Sequence, residues 1–237
     1  MLTLHRAAFV LPDPADPTAP SIADGAVVVR GELVEAVGPY AELAAAHPGA
    51  RVRDWGAAVL APGLRNPYGH WLLERAYHPD PREEVGLEPV ADGLAGSADE
   101  ARCGASARRG LQRMLGYGVT AVAGPFERAS VRTAVARSGI VGLPGRSAPT
   151  GESDGGGAGP LDPLAVLPFA EAVYGRVSPG SRADFAVFAL AAAAGVAGAV
   201  VGEGRDGSAA AGGGRAEPAA GGCLATVLGG RLVYRRR

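Results

Sequence analysis

Patterns typical of β-strands lie at both ends of this 237-residue chain, and they restrict its fold more than any other feature. Near the amino end, residues 2–10 and 25–37 are rich in Val and Leu, and Gly31-Glu32 predicts a tight turn. Near the carboxyl end, residues 183–190 predict a strand and residues 223–234 a hairpin. Both ends therefore predict β-structure, and the longer helices must lie between them.

The middle of the chain alternates between helical and strand patterns. Strand, helix and strand in this order predict parallel βαβ units. A Pro-rich loop is expected at residues 75–98, a Gly/Ser/Pro loop at 145–160, and a low-complexity Ala/Gly excursion at 191–222. The remaining predicted elements are strands at 51–55, 57–60, 119–123 and 140–143, and helices at 39–47, 99–115, 127–137 and 161–174.

Composition excludes several kinds of chemistry. The chain has no lysine, so a Schiff base, a carbamylated lysine ligand and a P-loop lysine are all impossible. Its formal net charge of -1 gives no reason to expect nucleic acid or an anionic membrane as partner. Cys103 and Cys223 lie far apart and predict isolated buried thiols. With no signal peptide or membrane-spanning stretch in the pattern, we expect a cytoplasmic protein.

Three stretches carry a resemblance to a known family. They are residues 24–38 with 61–66 (DGAVVVRGELVEAVG and APGLRN), residues 118–122 (GVTAV), and residues 178–188 with 225–234 (SPGSRADFAVF and ATVLGGRLVY). They resemble the amidohydrolase superfamily, in particular imidazolonepropionase-like and aminodeoxyfutalosine deaminase-like proteins. The resemblance implies a small composite β-sandwich built from both chain ends, with a (β/α) barrel between them.

The resemblance also implies a metal site. In the family, the first barrel strand ends in a Pro-Gly-x-x-Asn-x-His-x-His motif, whose two histidines bind metal. The aligned run here is PGLRNPYGH, residues 62–70, so His70 keeps the second position and Tyr68 replaces the first. A phenol oxygen is a poor substitute for imidazole on zinc.

Further candidate residues are few. The four histidines are His5, His47, His70 and His78, so the later histidine ligands of the family cannot be present in this sequence. His78 lies in the following loop near two carboxylates and could join a metal site or relay protons; a solvated loop is the structural alternative. Asp154 is placed like the family's final catalytic aspartate, although Gly-rich loops often carry an Asp for turn chemistry. Asp184 is expected to serve a turn or a cap, and the arginines of the 99–115 helix a solvated face.

Length indicates that the barrel is incomplete. A complete (β/α)₈ barrel needs roughly 200–250 residues by itself, and only about 110 residues lie between His70 and the returning strand. The predicted fold is therefore α/β plus β, with a composite β-sandwich from residues 1–60 and 176–237 and a truncated barrel-like segment at 61–175. An unclosed barrel leaves a sheet edge, and we expect a second copy of the chain to cover it as a homodimer.

Three hypotheses for function follow from the resemblance. The first is an amidohydrolase-like protein with a degenerate metal site, no cofactor, and a non-catalytic binding or scaffold role. The second is a hydrolase of non-peptide C–N bonds in a cyclic amide, amidine or nucleoside-like substrate. It would use zinc or another divalent metal held by His70, with Tyr68 or His78 beside it and Asp154 as general base. The third is an assembly partner of a full-length homologue or a pathway enzyme.

Overall fold

A computed structural model describes residues 1–83, 86–145, 160–190 and 218–237. The predicted 145–160 loop and the 191–222 tract therefore lie largely outside the described residues. Eleven strands occur in the described part: β1 Leu2–Val10, β2 Ile22–Arg30, β3 Leu33–Pro39, β4 Arg51–Asp54, β5 Ala58–Pro62, β6 Leu64–Asn66, β7 Val119–Ala123, β8 Val141–Leu143, β9 Phe185–Ala189, β10 Cys223–Leu228 and β11 Arg231–Arg235.

Strands from both chain ends join in one mixed sheet. Its order is β11-β10-β9-β5-β1-β2-β3, and β4 pairs with β1 in parallel beside β5. The two predicted hairpins, β2–β3 and β10–β11, are both present and antiparallel. The composite sheet is thus built from residues that are far apart in sequence, with β5 pairing directly with β9.

The large sheet curls over its own core. The turn between β2 and β3 reaches the segment before β9, where the Val34 amide donates to the Ser181 carbonyl at 2.9 Å and the Ala183 amide donates to the Glu32 carbonyl at 2.8 Å. Aliphatic and aromatic side chains of the strands form the core inside the curl. They include Val10, Val27, Val29, Leu60, Phe185, Val187 and Val227. Packing of these strands as a two-layer sandwich stays a prediction.

Parallel βαβ units form the middle of the chain, as predicted. β6, β7 and β8 make a parallel three-stranded sheet. Asp99 caps the helix between β6 and β7, because its carboxylate accepts from the Arg102 amide at 2.9 Å. Gly139, with a φ of 81°, ends the helix between β7 and β8. The described helices are α1 Tyr40–Ala46, α2 Glu100–Leu115, α3 Ala129–Ser138 and α4 Phe169–Ala172.

One predicted helix is wrong. Residues 161–174 contain a 3₁₀ turn at Pro163–Ala165 and the single turn of α4 in place of a continuous helix. Pro168 causes the break, because it has no amide hydrogen to donate and disfavours helical backbone at the preceding residue. The sequence also gave no indication of the π-helical turn Trp71–Arg75, which begins directly after His70.

A shared core joins the large sheet to the α/β part. Val59, Ala61 and Phe188 of the large sheet pack in one cluster with Leu64, Leu111 and Met114 of the α/β part. The division into a composite domain and a barrel-like segment stays a prediction. In the part of the chain that the structure describes, no helix is long and apolar enough to cross a membrane.

Candidate functional site

A polar cavity lies at the carboxyl ends of the parallel strands. Residues that follow β6 and β7 meet there, since parallel strands end at the same edge of their sheet. The cavity has a volume of about 770 Å³. Its wall consists of His70, Glu74, Arg75, Leu94, Ala95, Gly96, Glu100, Glu127, Arg128, Ala129 and Arg132. This is the position at which α/β barrels usually bind their ligands.

His70 contributes a fixed imidazole to this wall. Its Nδ1 lies 2.7 Å from the Pro125 carbonyl oxygen and 3.6 Å from Glu74 Oε2. Because a carbonyl oxygen can only accept, we assign the proton to Nδ1 in the neutral ring, which leaves a lone pair on Nε2. Trp71 packs edge-on against the ring, with centroids 5.6 Å apart. His70 thus lines the cavity with a ring whose Nε2 is a hydrogen-bond acceptor.

Glu74 lies behind His70 and is buried, with a side chain only 5% exposed. Its Oε1 accepts from the backbone amide of Arg128, the residue that caps α3, at 2.8 Å. Glu100 acts similarly, accepting from the Ser130 amide at 3.1 Å. The Ser130 side chain and then this amide lower the pKa of Glu100, and Arg128 lowers it further. Two carboxylates from other elements therefore satisfy amides at the start of α3 and offset its dipole.

Three arginines complete the polar wall. Arg128 donates to the Ser97 carbonyl at 2.8 Å and pairs with Glu100 at 3.3 Å. Arg75 pairs with Asp92 at 2.7 Å and stacks on the Trp71 ring at 4.4 Å. Arg132 donates from Nη1 to the carbonyl oxygens of Phe126 and Glu127. These contacts hold the loops around the cavity in place.

Tyr68 does not lie in the cavity wall. Its ring is half-buried and packs against the main core. Its amide is held at 2.8 Å by Asn66 Oδ1, and Asn66 Nδ2 donates to the carbonyls of Pro160 and Leu161. The motif residues Asn66 and Tyr68 therefore fix the chain after β6, while His70 alone of the predicted metal ligands reaches the cavity.

His78 is placed in the core, away from the cavity wall. Its ring is fully buried, with Nε2 2.8 Å from the Leu72 carbonyl, and its amide donates to Ser106 Oγ at 2.9 Å. Nδ1 is buried with no hydrogen-bond partner in the described part of the chain. Burial lowers the pKa of His78, and nearby Arg113 and Arg109 lower it further. A metal role for His78 stays a prediction, but this environment favours a neutral core histidine.

The other predicted residues have varied positions. Asp154 lies outside the described residues. Asp184 joins two elements of the large sheet, accepting from the Gly229 amide at 2.7 Å and pairing with Arg182 at 2.7 Å. Burial raises the pKa of its carboxyl group. The arginines of α2 are not simply solvated, because Arg109 donates to the His78 carbonyl and Arg113 to that of Leu87.

The donors around the cavity do not fit a zinc site of the family's type. Residues 1–83, 86–145, 160–190 and 218–237 contain no group of three or more His, Cys, Asp or Glu side chains that could hold a metal ion. His70 offers one free nitrogen, whereas a catalytic zinc ion usually has three protein ligands. Glu74 and Glu100 are occupied by backbone amides.

Sequence reasoning missed most of the cavity wall. Glu74 follows His70 by four residues, a spacing that places two side chains on one face of a helix and could have identified the pair. Arg128 and Arg132 carried no comparable signal, because they approach His70 only after β6 and β7 have paired.

Comparison with known proteins gives one sequence match. Residues 25–50 match the sequence model of a family described as the imidazolonepropionase-like composite domain of bacteria. This segment covers β2 from its middle, all of β3 and α1. The chain therefore resembles imidazolonepropionase-like proteins in its composite sheet, as the sequence indicated. No curated protein matches the chain.

Solved structures of several hydrolases and deaminases resemble part of the chain. Ochratoxinase from A. niger is 22% identical over 60% of this chain and 31% of its own, with a TM-score of 0.43. Guanine deaminase from Bradyrhizobium japonicum is 18% identical over 61% and 34%, with a TM-score of 0.43. Helicobacter pylori aminofutalosine deaminase is 16% identical over 61% and 33%, with a TM-score of 0.41. The chain spans about a third of the length of these structures.

Proposed function

We propose that this chain is an amidohydrolase-like protein with a degenerate metal site, which binds a small molecule in the cavity at His70 without hydrolysing it. The observation that carries this proposal is the fate of the metal motif. Tyr68 stands at the first histidine position and packs against the core, and the later histidine ligands have no counterpart after His78. A single imidazole remains where the family's chemistry needs several ligands.

The cavity itself supports a binding role. Its volume of about 770 Å³ falls in the usual range for small-molecule sites, roughly 300–1,000 Å³. Most of its polar groups are held by hydrogen bonds to neighbouring loops, so little side-chain ordering remains to oppose binding. Leu94, Ala95 and Ala129 add apolar contact area to the wall.

Metal content of the purified, tag-free chain tests the degenerate site. Inductively coupled plasma mass spectrometry should find zinc, iron and manganese far below one ion per chain. The same result is expected for His70→Ala and for the control His47→Ala, whose histidine lies outside the cavity wall. Near-stoichiometric metal that disappears in His70→Ala but persists in His47→Ala would overturn the proposal.

One observation favours the hydrolase as second candidate. His70 lines the cavity and its Nδ1 is held by the Pro125 carbonyl, an arrangement common to general bases and metal ligands. In this alternative the chain hydrolyses a non-peptide C–N bond with zinc or another divalent metal, which His70 would help to hold, and Asp154 would act as general base. Screening cyclic amides and nucleoside-like amines should then reveal activity that His70→Ala abolishes and His47→Ala retains.

A further inference from the structure

We infer that the ligand of the cavity carries an oxyanion, a carboxylate or a phosphate, and that Arg132 is the residue that binds it. This inference rests on the proposed function, since it names the chemical class of the molecule bound at the same site. The charge of the ligand follows from which groups of the wall already have hydrogen-bond partners and which groups remain open to a ligand.

Two of the three wall carboxylates are already used. Glu74 accepts from the Arg128 amide at Oε1, and its Oε2 lies 3.6 Å from His70 Nδ1. Glu100 accepts from the Arg128 guanidinium at 3.3 Å through Oε1 and from the Ser130 amide at 3.1 Å through Oε2. Each carboxylate therefore shares its negative charge with donors of the wall, Glu100 with a guanidinium and an amide and Glu74 with an amide. Because these hydrogen bonds compensate part of their charge, both acids attract a cationic ligand less than a free carboxylate would.

Arg132, in contrast, has hydrogen-bond donors and a positive charge that a ligand can use. Within the described residues its guanidinium has no carboxylate within 4 Å. Its Nη1 donates to the carbonyls of Phe126 and Glu127, which orient the group beside the cavity. In the described part of the chain Nε and Nη2 make no hydrogen bond, and together they form a fork of donors that matches carboxylate and phosphate oxygens. By contrast, Arg75 and Arg128 already have acidic partners.

Glu127 is the wall carboxylate that opposes an anion. It is exposed and has no ion pair in the described part of the chain. Water and salt screen an exposed charge, whereas a ligand bound to Arg132 through two parallel hydrogen bonds contacts its partner directly. Replacing Glu127 by Gln should therefore strengthen oxyanion binding slightly.

Three probes of equal shape and different charge test the inference: benzoate, benzamide and benzamidinium, with inorganic phosphate as a fourth. Each is titrated into the ¹⁵N-labelled full chain, and NMR shifts of the Arg132 Nε–H and of the amides of residues 128–132 report binding. Benzoate or phosphate should bind at least about tenfold more tightly than benzamide or benzamidinium. Loss of a charge-assisted hydrogen bond should make Arg132→Gln bind the anion about tenfold or more weakly.

Arg137→Gln is the matched control, because Arg137 is an exposed arginine of the same helix outside the cavity wall. It should bind benzoate as the wild type does. Tighter binding of benzamidinium or benzamide, or equal affinity for the anion in Arg132→Gln, would overturn the oxyanion inference and leave the cavity a binding site. If no probe binds, the oxyanion inference falls, while the degenerate metal site is still judged by metal content.

Discussion

His5 carries a titratable ring into the core of the large sheet. The side chain is 1% exposed, its Nδ1 lies 3.3 Å from the Trp55 indole nitrogen, and Phe185 contacts the ring edge-on at 5.0 Å. Burial, aided by the charge of Arg53, lowers the pKa of His5 to about 3. The ring is therefore neutral in the folded chain at any pH near neutrality.

Acid should destabilise the fold through His5. In the unfolded chain His5 binds a proton as the pH falls below 6.5, whereas in the folded chain it does so only near pH 3. The contribution of a neutral His5 to the free energy of unfolding is therefore fully present above pH 6.5. It is lost as the pH falls from 6.5 towards 3, by up to about 1.4 kcal/mol per pH unit. Urea unfolding at pH 7, 6 and 5 should show this slope. His5→Gln should flatten it, whereas His47→Gln should not; an unchanged slope in His5→Gln would contradict the assignment.

Gly110 is required by its contact with His78. A Cβ added at Gly110 would lie 2.6 Å from His78 Nε2 and 2.8 Å from Cδ2. Alanine is the better helix former by about 1 kcal/mol, but overpacking of a buried site costs about 1–3 kcal/mol. Because the His78 ring is fully buried and its Nε2 is held by the Leu72 carbonyl, we expect Gly110→Ala to destabilise the chain by about 1 kcal/mol in urea unfolding. Gln112→Ala, on the exposed face of α2, should change stability by less than about 0.5 kcal/mol.

At the scale of elements, α3 depends on a cap from outside its own sequence. Arg128 precedes the helix and provides no side-chain cap. Instead, the backbone amide of Arg128 donates to the carboxylate of the buried Glu74 at 2.8 Å. Removing this acceptor leaves a donor of the α3 start without its partner. We expect Glu74→Ala to lower the free energy of unfolding by about 1–3 kcal/mol and to speed hydrogen exchange at the Arg128 amide. Glu127→Ala, on an exposed neighbour, should change neither quantity appreciably.

Elements with a strong local signal were predicted well. The hairpin turn at Gly31 and the cap at Asp99 locate β2, β3 and α2 to within about three residues. The 161–174 helix failed because Pro168 outweighs the helical pattern around it. The π-helical turn after His70 carries no local signal of its own, and its buried Leu72 and Leu73 pack into the main core.

At the scale of the whole molecule, Phe188 connects the two predicted domains. It belongs to β9, yet its ring contacts Phe169 of α4 at 6.0 Å, across the predicted boundary near residue 176. We expect Phe188→Ala to cost about 3–5 kcal/mol and to destabilise both parts together. Trp55 lies in the large sheet part and Trp71 in the α/β part. The fluorescence of Trp71→Phe therefore reports on the first part, and that of Trp55→Phe on the second. Different unfolding midpoints for the two reporters would show that the parts unfold independently.

We also propose that a second copy of the chain covers the outer edge of the parallel sheet. In the described residues β8 pairs only with β7, and an unpaired edge tends to recruit a partner. Light scattering at micromolar concentration should give the mass of a dimer. A strictly monomeric mass would remove this proposal.

The sequence by itself determined the strands of both ends, the βαβ order of the middle, the resemblance of the composite sheet and the absence of any histidine after His78. These features depend on residue identity and on short spacings along the chain, and both act directly on the local backbone conformation. Only the tertiary structure decided that Tyr68 and His78 belong to the core and that Glu74, Arg128 and Arg132 surround His70. The wall is assembled by strand pairing between segments more than 50 residues apart, and no local pattern encodes which side chains such pairing brings together.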